Sequence, residues 1–371
     1  MKSAYILVGI TFGKFRQVLS ENKHRYTFGM RFFFRGFFIL FNSIFASFLS
    51  FIEKKRYHKA IDQTIPIKAP IFIIGHWRTG STLLHQFFQQ DPSLTTPSHY
   101  QVVLPEFFIS GAPYYRPVLK IAMGKTRPMD SMKIGLDEPQ EDEYALYKMT
   151  GISPFNNLVF PTDSAYFLNS YSDFIPDKDQ LGKWKNAFNY FYRKISFVAN
   201  KQVVFKNPFH TLRIDILKDM FPNAKFVHIY RHPYNVVPST INMWKTVGMQ
   251  NSMNSINHDP EVSDVASFYE HMLSYVNKKE VTFSEESFIN VCYEELEINP
   301  IETMRKIYQQ FEMDFTQECK DNLTKTIKDN SGYVKNLYSL SEQDKLIIDF
   351  YCSHHYESLG YKQTLKQSVI C

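Results

Sequence analysis

Ile71-Phe72-Ile73-Ile74-Gly75-His76-Trp77-Arg78-Thr79-Gly80-Ser81-Thr82-Leu83-Leu84 is the stretch that decides how this chain reads. A short apolar run rich in β-branched residues stops at Gly75, and a helical pattern opens after Gly80 and continues to about Gln90, where Asp91-Pro92 ends it. In a strand, glycine-bounded loop and helix of this kind, backbone N–H groups converge on an anion and the helix N-terminus adds a favourable dipole. A triphosphate-binding loop carries lysine directly after the second glycine. Here Ser81 stands in that place and the positive charge lies inside the loop, as Arg78. That composition suits a single 5′-phosphate bearing something other than a phosphate chain. The plain alternative is an ordinary turn between strand and helix, against which Arg78 and the hydroxyls of Ser81 and Thr82 argue.

Further strand and helix units follow. Val203-Val204-Phe205 precedes a helical pattern at Leu212, Ile216, Leu217 and Met220. Lys225 to Tyr230 leads through Pro233 into a helix reaching about Trp244, and Phe288 to Cys292 precedes a helix starting near Pro300. Asp264–Lys279, Glu302–Phe311 and Ser341–His355 are the clearer helical segments of the C-terminal third. Apolar strands alternating with helices predict an α/β fold, a central parallel sheet flanked by helices. Residues 61–371 read as one domain and residues 1–60 as a separate helical segment. In such sheets, sites form at the carboxyl ends of strands. Lys206, Arg231 and Tyr293 each follow a strand, and Ser239 lies eight residues beyond Arg231. An arginine and a serine so placed can hold a second phosphate by charge-assisted hydrogen bonds. Each residue taken singly is commonplace; their occurrence beside the loop gives them weight.

On these residues the chain resembles the sulfotransferases that use 3′-phosphoadenosine 5′-phosphosulfate (PAPS), in the form common among bacterial members. Gly75 through Leu84 is similar to their 5′-phosphosulfate loop, and Arg231 through Ser239 to their 3′-phosphate motif. Lys206, 25 residues before Arg231, is placed like the catalytic lysine of tyrosylprotein sulfotransferases. Tyr293-Glu294-Glu295-Leu296, Arg127-Pro128-Met129-Asp130 and the acidic run Asp137 to Glu143 also resemble family segments. The resemblance spans about residues 66–361. It implies a P-loop-like sulfotransferase fold and transfer of a sulfuryl group from PAPS, as co-substrate and without a metal, to a hydroxyl. Trp77, Arg78, Thr79, Gly80, Ser81 and Thr82 would hold the 5′-phosphosulfate, Arg231 and Ser239 the 3′-phosphate, and Tyr293 the nucleotide. Lys206 would neutralise charge on the bridging oxygen. Lys335, in Ser331-Gly332-Tyr333-Val334-Lys335-Asn336, would belong to a late basic loop over the nucleotide.

The general base stays open among several residues. Cytosolic sulfotransferases carry a histidine two residues after the lysine, where this chain has Pro208; His210 is the nearest histidine. Tyrosylprotein sulfotransferases use a glutamate after the loop helix, a position that falls at His99 here. A histidine there can accept a proton near neutral pH. Glu138 and Glu141 belong to the acidic run before a helical pattern, where carboxylates beside Pro139 also serve as ordinary helix-start residues. Glu106 is a further candidate.

The 371 residues carry 42 Lys+Arg against 37 Asp+Glu, a net of +5. This average divides into +9 for residues 1–59 and −4 for the rest, and 12 of the 34 phenylalanines fall between Phe12 and Phe51. With 44% hydrophobic and 21% charged residues the chain buries a large core, which excludes disorder and a disulfide miniprotein. A mean hydropathy of −0.30 excludes a bundle of membrane spans. Four cysteines without a C-x-x-C pair suit a reducing, cytoplasmic compartment. Lys14 and Arg16 interrupt the first apolar run and no small-x-small site follows, which argues against a secretion signal. Gly36 to Ile52 is 17 residues without a charge, about 25 Å as a helix, short of the ~20 residues a bilayer crossing takes. Framed by basic residues, it reads either as a helix lying on the inner face of a membrane or as one packed on the protein.

An aromatic and Met-rich stretch between the loop and the second strand favours a lipophilic acceptor such as a sterol, steroid or other lipid alcohol. Carbohydrate or protein tyrosine is the alternative acceptor. A P-loop nucleotide kinase and a non-catalytic membrane-surface protein are the alternatives of other classes, and the partition of charge speaks against nucleic acid.

Overall fold

The structure, a computed structural model, describes residues 6–26, 29–122, 135–161, 175–254, 259–330, 336 and 338–361. Helices α1 (Phe12–Glu21) and α2 (Met30–Asp62) precede β1 (Ile71–Ile74), α3 (Ser81–Phe88), the two-residue β2 (Leu94–Thr95) and α4 (His99–Val103). Then come α5 (Ala112–Ala122), α6 (Glu143–Thr150), α7 (Phe155–Val159), α8 (Lys178–Ala199), β3 (Gln202–Lys206) and, after two turns of 3₁₀-helix (Pro208–Arg213), α9 (Ile214–Met220). The chain continues through β4 (Lys225–Tyr230), α10 (Pro233–Asn251), α11 (Val262–Glu280), β5 (Phe288–Cys292), α12 (Tyr293–Ile298), α13 (Pro300–Gln310), α14 (Gln317–Asp329) and α15 (Glu342–Cys352).

The five strands are all parallel, in the order β2-β3-β1-β4-β5. β1 is central because its residues are apolar on both faces, and all four are buried. Its alternate side chains build opposite layers. Ile71 and Ile73 join Leu84, Phe88, Met304 and Ile307 under α3 and α13. Phe72 and Ile74 join Phe205 with Trp184, Phe188 and Phe191 of α8. The consecutive strands β3 and β4 flank β1 on opposite sides, which makes its carboxyl end a topological switch point, where ligand crevices form.

Two expectations are extended. The uncharged segment 36–52 is the middle of a 33-residue helix, because Lys54 to Asp62 continues it without a breaker. The helix after Pro233 runs on to Asn251. α8 was not anticipated, although Trp184, Phe188, Phe191 and Ile195 recur at helical spacing on its buried side. The boundary at residue 60 marks a change of composition and not a break in packing: Phe15, Val18, Phe32 and Ile39 share a core cluster with Trp77 and Phe209.

Burial also makes the fold sensitive to acid. His228, on β4, donates from Nδ1 to Asn290 Oδ1 at 2.7 Å, and burial lowers its pKa from about 6.5 to about 4. The folded state therefore stays neutral while the unfolded state takes up a proton below pH 6.5. The stabilisation is complete above that pH and is lost as pH falls toward 4, roughly 3 kcal/mol for a shift of this size. His228→Leu is expected to flatten the decline of the urea midpoint between pH 6.5 and 4; an unchanged slope refutes the assignment.

Candidate active site

The loop from Gly75 to Thr82 is shaped by side chains that glycine alone accommodates. Gly75 has φ +138°, and a Cβ there would run into the carbonyl of Ile229 on β4. Its N–H donates to Thr211 Oγ1 at 2.8 Å, and the same hydroxyl donates back to its carbonyl at 3.1 Å. Gly80 has φ +92° and lies so close to the Tyr293 ring that any Cβ would overlap it. Between them Arg78 adopts φ +67°, and Thr79 Oγ1 donates to the carbonyl of His76 at 2.7 Å. Ser81 and Thr82 then open α3. The Trp77 ring is buried edge-on against Phe209 and Trp244, with centroids 5.1 and 5.0 Å away. It anchors the loop in the core, which confines its own reach toward a ligand to the main chain.

The loop and the second motif form one constellation. Arg78 Nε donates to Ser239 Oγ on α10 at 2.8 Å. The Arg231 guanidinium lies 4.3 Å from the centroid of Tyr293, and one of its N–H groups points to the carbonyl of Arg78 at 3.4 Å. The backbone of Arg231 is clamped by Tyr269, whose hydroxyl donates to its carbonyl at 2.7 Å and accepts from its N–H at 3.2 Å. Arg231 Nε is buried and has no hydrogen-bond partner among the described residues. A buried guanidinium N–H in that condition, beside an arginine, a serine and the start of a helix, is a donor able to serve an anion.

At the end of β3 and in the turn after it, a lysine, a histidine and an arginine meet three successive carboxylates. Lys206 Nζ, at the end of β3, donates to Glu141 Oε1 at 2.6 Å, with side chains 3% and 15% exposed. His210 Nε2 lies 2.8 Å from Asp142 Oδ2, both at 0% exposure. Arg213 grips Glu143 with two bonds of 2.6 and 3.1 Å, and Ser153 and Asn207 donate to the same carboxylate. Burial would raise the pKa of Glu143, but the charge of Arg213 and these hydrogen bonds outweigh it and hold the carboxyl below its ordinary value. This ladder ties the segment before α6 to the turn after β3 and so fixes Lys206 against Glu141 at the carboxyl end of β3.

A model of the sulfotransferase family matches residues 70–317, a stretch that includes the loop, Lys206, Arg231 and Tyr293. The chain belongs to the sulfotransferase family. It is 30% identical over 327 residues to the omega-hydroxy-beta-dihydromenaquinone-9 sulfotransferase Stf3 of Mycobacterium tuberculosis, covering 86% of this chain and 82% of that one. The Mycobacterium bovis protein of the same name matches equally. The fold is that of sulfotransferase STF9 from Mycobacterium avium, with a TM-score of 0.67 at 14% identity over 97% of this chain and 99% of that one. Sulfotransferase STF1 from Mycobacterium tuberculosis H37Rv shares it with a TM-score of 0.58 at 18% identity, over 91% and 92% of the two chains. Family membership sets aside the nucleotide-kinase and scaffold alternatives.

In this sulfotransferase the base candidates fall into different surroundings. His210 is packed against Phe188 and Trp184 with its Nε2 on Asp142, a position inside the core. His99 is also buried, at the start of α4, where Ser98 and Gln101 form a reciprocal cap. Gln140 Nε2 lies 3.3 Å from His99 Nδ1, and the His99 N–H donates to the carbonyl of Glu138 at 2.8 Å. Glu138 itself accepts from Gln86 at 3.3 Å, so of the acidic run it is Glu141 that meets Lys206. Glu106 is occupied on the far side of α4 by Lys54, at 2.7 Å. Lys335 lies outside the described residues, as do Arg127 through Asp130.

Residues that the sequence did not single out include Thr211, Tyr269 and Arg213; the last follows His210 by three positions, as Glu143 follows Glu141 by two. Among the described residues Glu270, His354 and His355 form a group able to hold a metal ion, between α11 and the end of α15. None of them belongs to the phosphate loop or to the carboxylate ladder.

Proposed function

We propose that this sulfotransferase moves the sulfuryl group of PAPS to the hydroxyl of a lipophilic acceptor. The observation that carries the donor is the buried, unpartnered Arg231 Nε beside Tyr293 and the Arg78–Ser239 bond. Arg231 and Ser239 would take the 3′-phosphate, and the N–H groups and hydroxyls of Thr79 to Thr82 the 5′-phosphosulfate. Arg78, which reaches Ser239, would link the two.

In the reaction the acceptor oxygen forms a bond to sulfur as the bond from sulfur to the bridging oxygen breaks. The bridging oxygen leaves on the 5′-phosphate of adenosine 3′,5′-bisphosphate, and the acceptor proton goes to a base. Lys206 would neutralise the charge developing on the bridging oxygen, a contribution made mainly in the transition state. We assign the base to Glu141, because it is the partly exposed carboxylate at Lys206, whereas His99 and His210 are buried. Entry of the donor would draw Lys206 from Glu141 to the bridging oxygen and leave the carboxylate to accept the proton. The relative named for a hydroxylated menaquinone derivative supports a lipophilic acceptor, and so does the apolar surface described below.

The expected result is thermal stabilisation by adenosine 3′,5′-bisphosphate and none by ATP with Mg²⁺, abolished in Arg231→Ala. Labelled PAPS with a panel of alcohols is expected to give organic-extractable product. Stabilisation by ATP with Mg²⁺ alone, or label found only in carbohydrate or peptide, overturns the respective half of this reading.

A further inference from the structure

α2 is amphipathic in an inverted sense. Between Phe32 and Glu53 its buried side is Phe32, Gly36, Ile39, Ser43, Ala46, Leu49, Ser50 and Glu53, so five of the eight residues facing the protein there are small or polar. The large aromatics take the other side. Phe33, Phe37, Phe41, Ile44, Phe48 and Phe51 form one stripe, with Phe37 at 64%, Phe41 at 75% and Phe48 at 59% exposure. α5 extends it: Tyr114, Val118 and Ile121 are exposed on one face, and Phe45 of α2 meets Tyr114 and Tyr115 at 6.3 and 5.8 Å. A continuous apolar face of this size on a soluble body marks an interaction surface.

We propose that this face docks on an anionic lipid bilayer and lies in its interface, and that the acceptor is drawn from there. The proposal rests on the lipophilic acceptor inferred above. Charge selects the occupant. Lys55, Arg56 and Lys59 are exposed at one end of the stripe and Arg35 lies near the other. A second copy of the chain would set basic ends against basic ends in either orientation, whereas anionic headgroups neutralise both. Crossing the bilayer is incompatible with the inner side. There Glu53 forms a buried ion pair with Lys194 of α8 and accepts from the Ser110 N–H at 2.6 Å, and Asn42 and Ser47 accept from the backbone of Gly9 and Phe12.

The same face leads to the acceptor side of the site. Arg116 of α5 donates twice to Asp137 at 2.8 Å, four residues before Glu141, and Tyr100, next to His99, lies under the Arg116 guanidinium. Platform and base are thus parts of one connected wall.

Flotation with phosphatidylcholine vesicles, with and without phosphatidylglycerol, tests this. The full chain is expected to float with the anionic vesicles. Phe37→Ser, Phe41→Ser and Phe48→Ser combined should lower the partition coefficient by roughly two orders of magnitude. Lys55→Gln, Arg56→Gln and Lys59→Gln combined should lower it about tenfold or more on anionic vesicles and little on neutral ones. Both variants should sulfate a water-soluble alcohol at the parent rate and lose turnover of a bilayer-embedded acceptor. The proposal falls if the parent chain does not float, if the serine variant floats equally, or if light scattering shows a dimer that the serine variant dissolves without any effect on vesicles. Flotation without sulfation of any lipophilic alcohol leaves docking intact and overturns the acceptor reading; sulfation of a lipophilic alcohol without flotation does the reverse.

Discussion

Lys206→Ala lowers the turnover of sulfuryl transfer by roughly 10²–10³-fold, the loss expected when one donor to a developing anion is removed from a buried site. The side chain is 3% exposed, so solvent cannot replace its charge. The effect should appear in kcat, with little change in KM for PAPS, because in the proposed reaction the lysine would act on charge that arises as the bond breaks, while Arg231, Ser239 and the loop would continue to bind the nucleotide. Stabilisation by adenosine 3′,5′-bisphosphate should therefore survive. Glu141→Gln should also lower kcat, and the two losses should not add, since the groups are in contact at 2.6 Å. A turnover within about threefold of the parent in Lys206→Ala refutes the assigned role.

Glu143→Ala destabilises the fold by about 3–5 kcal/mol, the range for breaking a buried ion pair on one side. Arg213 would keep its charge in a site at 1% exposure with no carboxylate, and Ser153 and Asn207 would lose their acceptor. Because the pKa of Glu143 is held below its ordinary value, the pair's stabilisation is complete above about pH 4.5 and is lost only as pH falls through the lowered value. The deficit should thus be full at neutral pH, as read from urea midpoints. Glu143→Gln, which retains an acceptor oxygen, should cost less. A loss below about 1 kcal/mol in Glu143→Ala would show that the ladder does not hold the wall before α6.

The placement of the loop and of the strand-end residues was legible in the sequence. The loop between Gly75 and Ser81, the strand-end positions of Lys206, Arg231 and Tyr293, and the spacing to Ser239 are local relations, and parallel strands bring their carboxyl ends to one edge of the sheet whatever the details. The acceptor side resisted for the opposite reason. Glu141, Asp142 and Glu143 are adjacent carboxylates of similar chemistry, and only the antiparallel contact of Ser98 with Pro139 and the turn after β3 distribute them to a lysine, a histidine and an arginine.

The surroundings of the two histidines in the same region were not legible either. His99 and His210 have the residue type of a base, but burial is a property of neighbours distant in sequence, Phe188 and Trp184 in the case of His210. The N-terminal helix shows both limits at once. Its charge-free run and basic flanks already mark a helix with an apolar middle and charged ends, because hydropathy and charge are written along the chain. Which side of that helix meets protein and which remains open depends on packing against α1, α8 and α5, and the placement of the small residues inward with the phenylalanines outward is visible only in three dimensions.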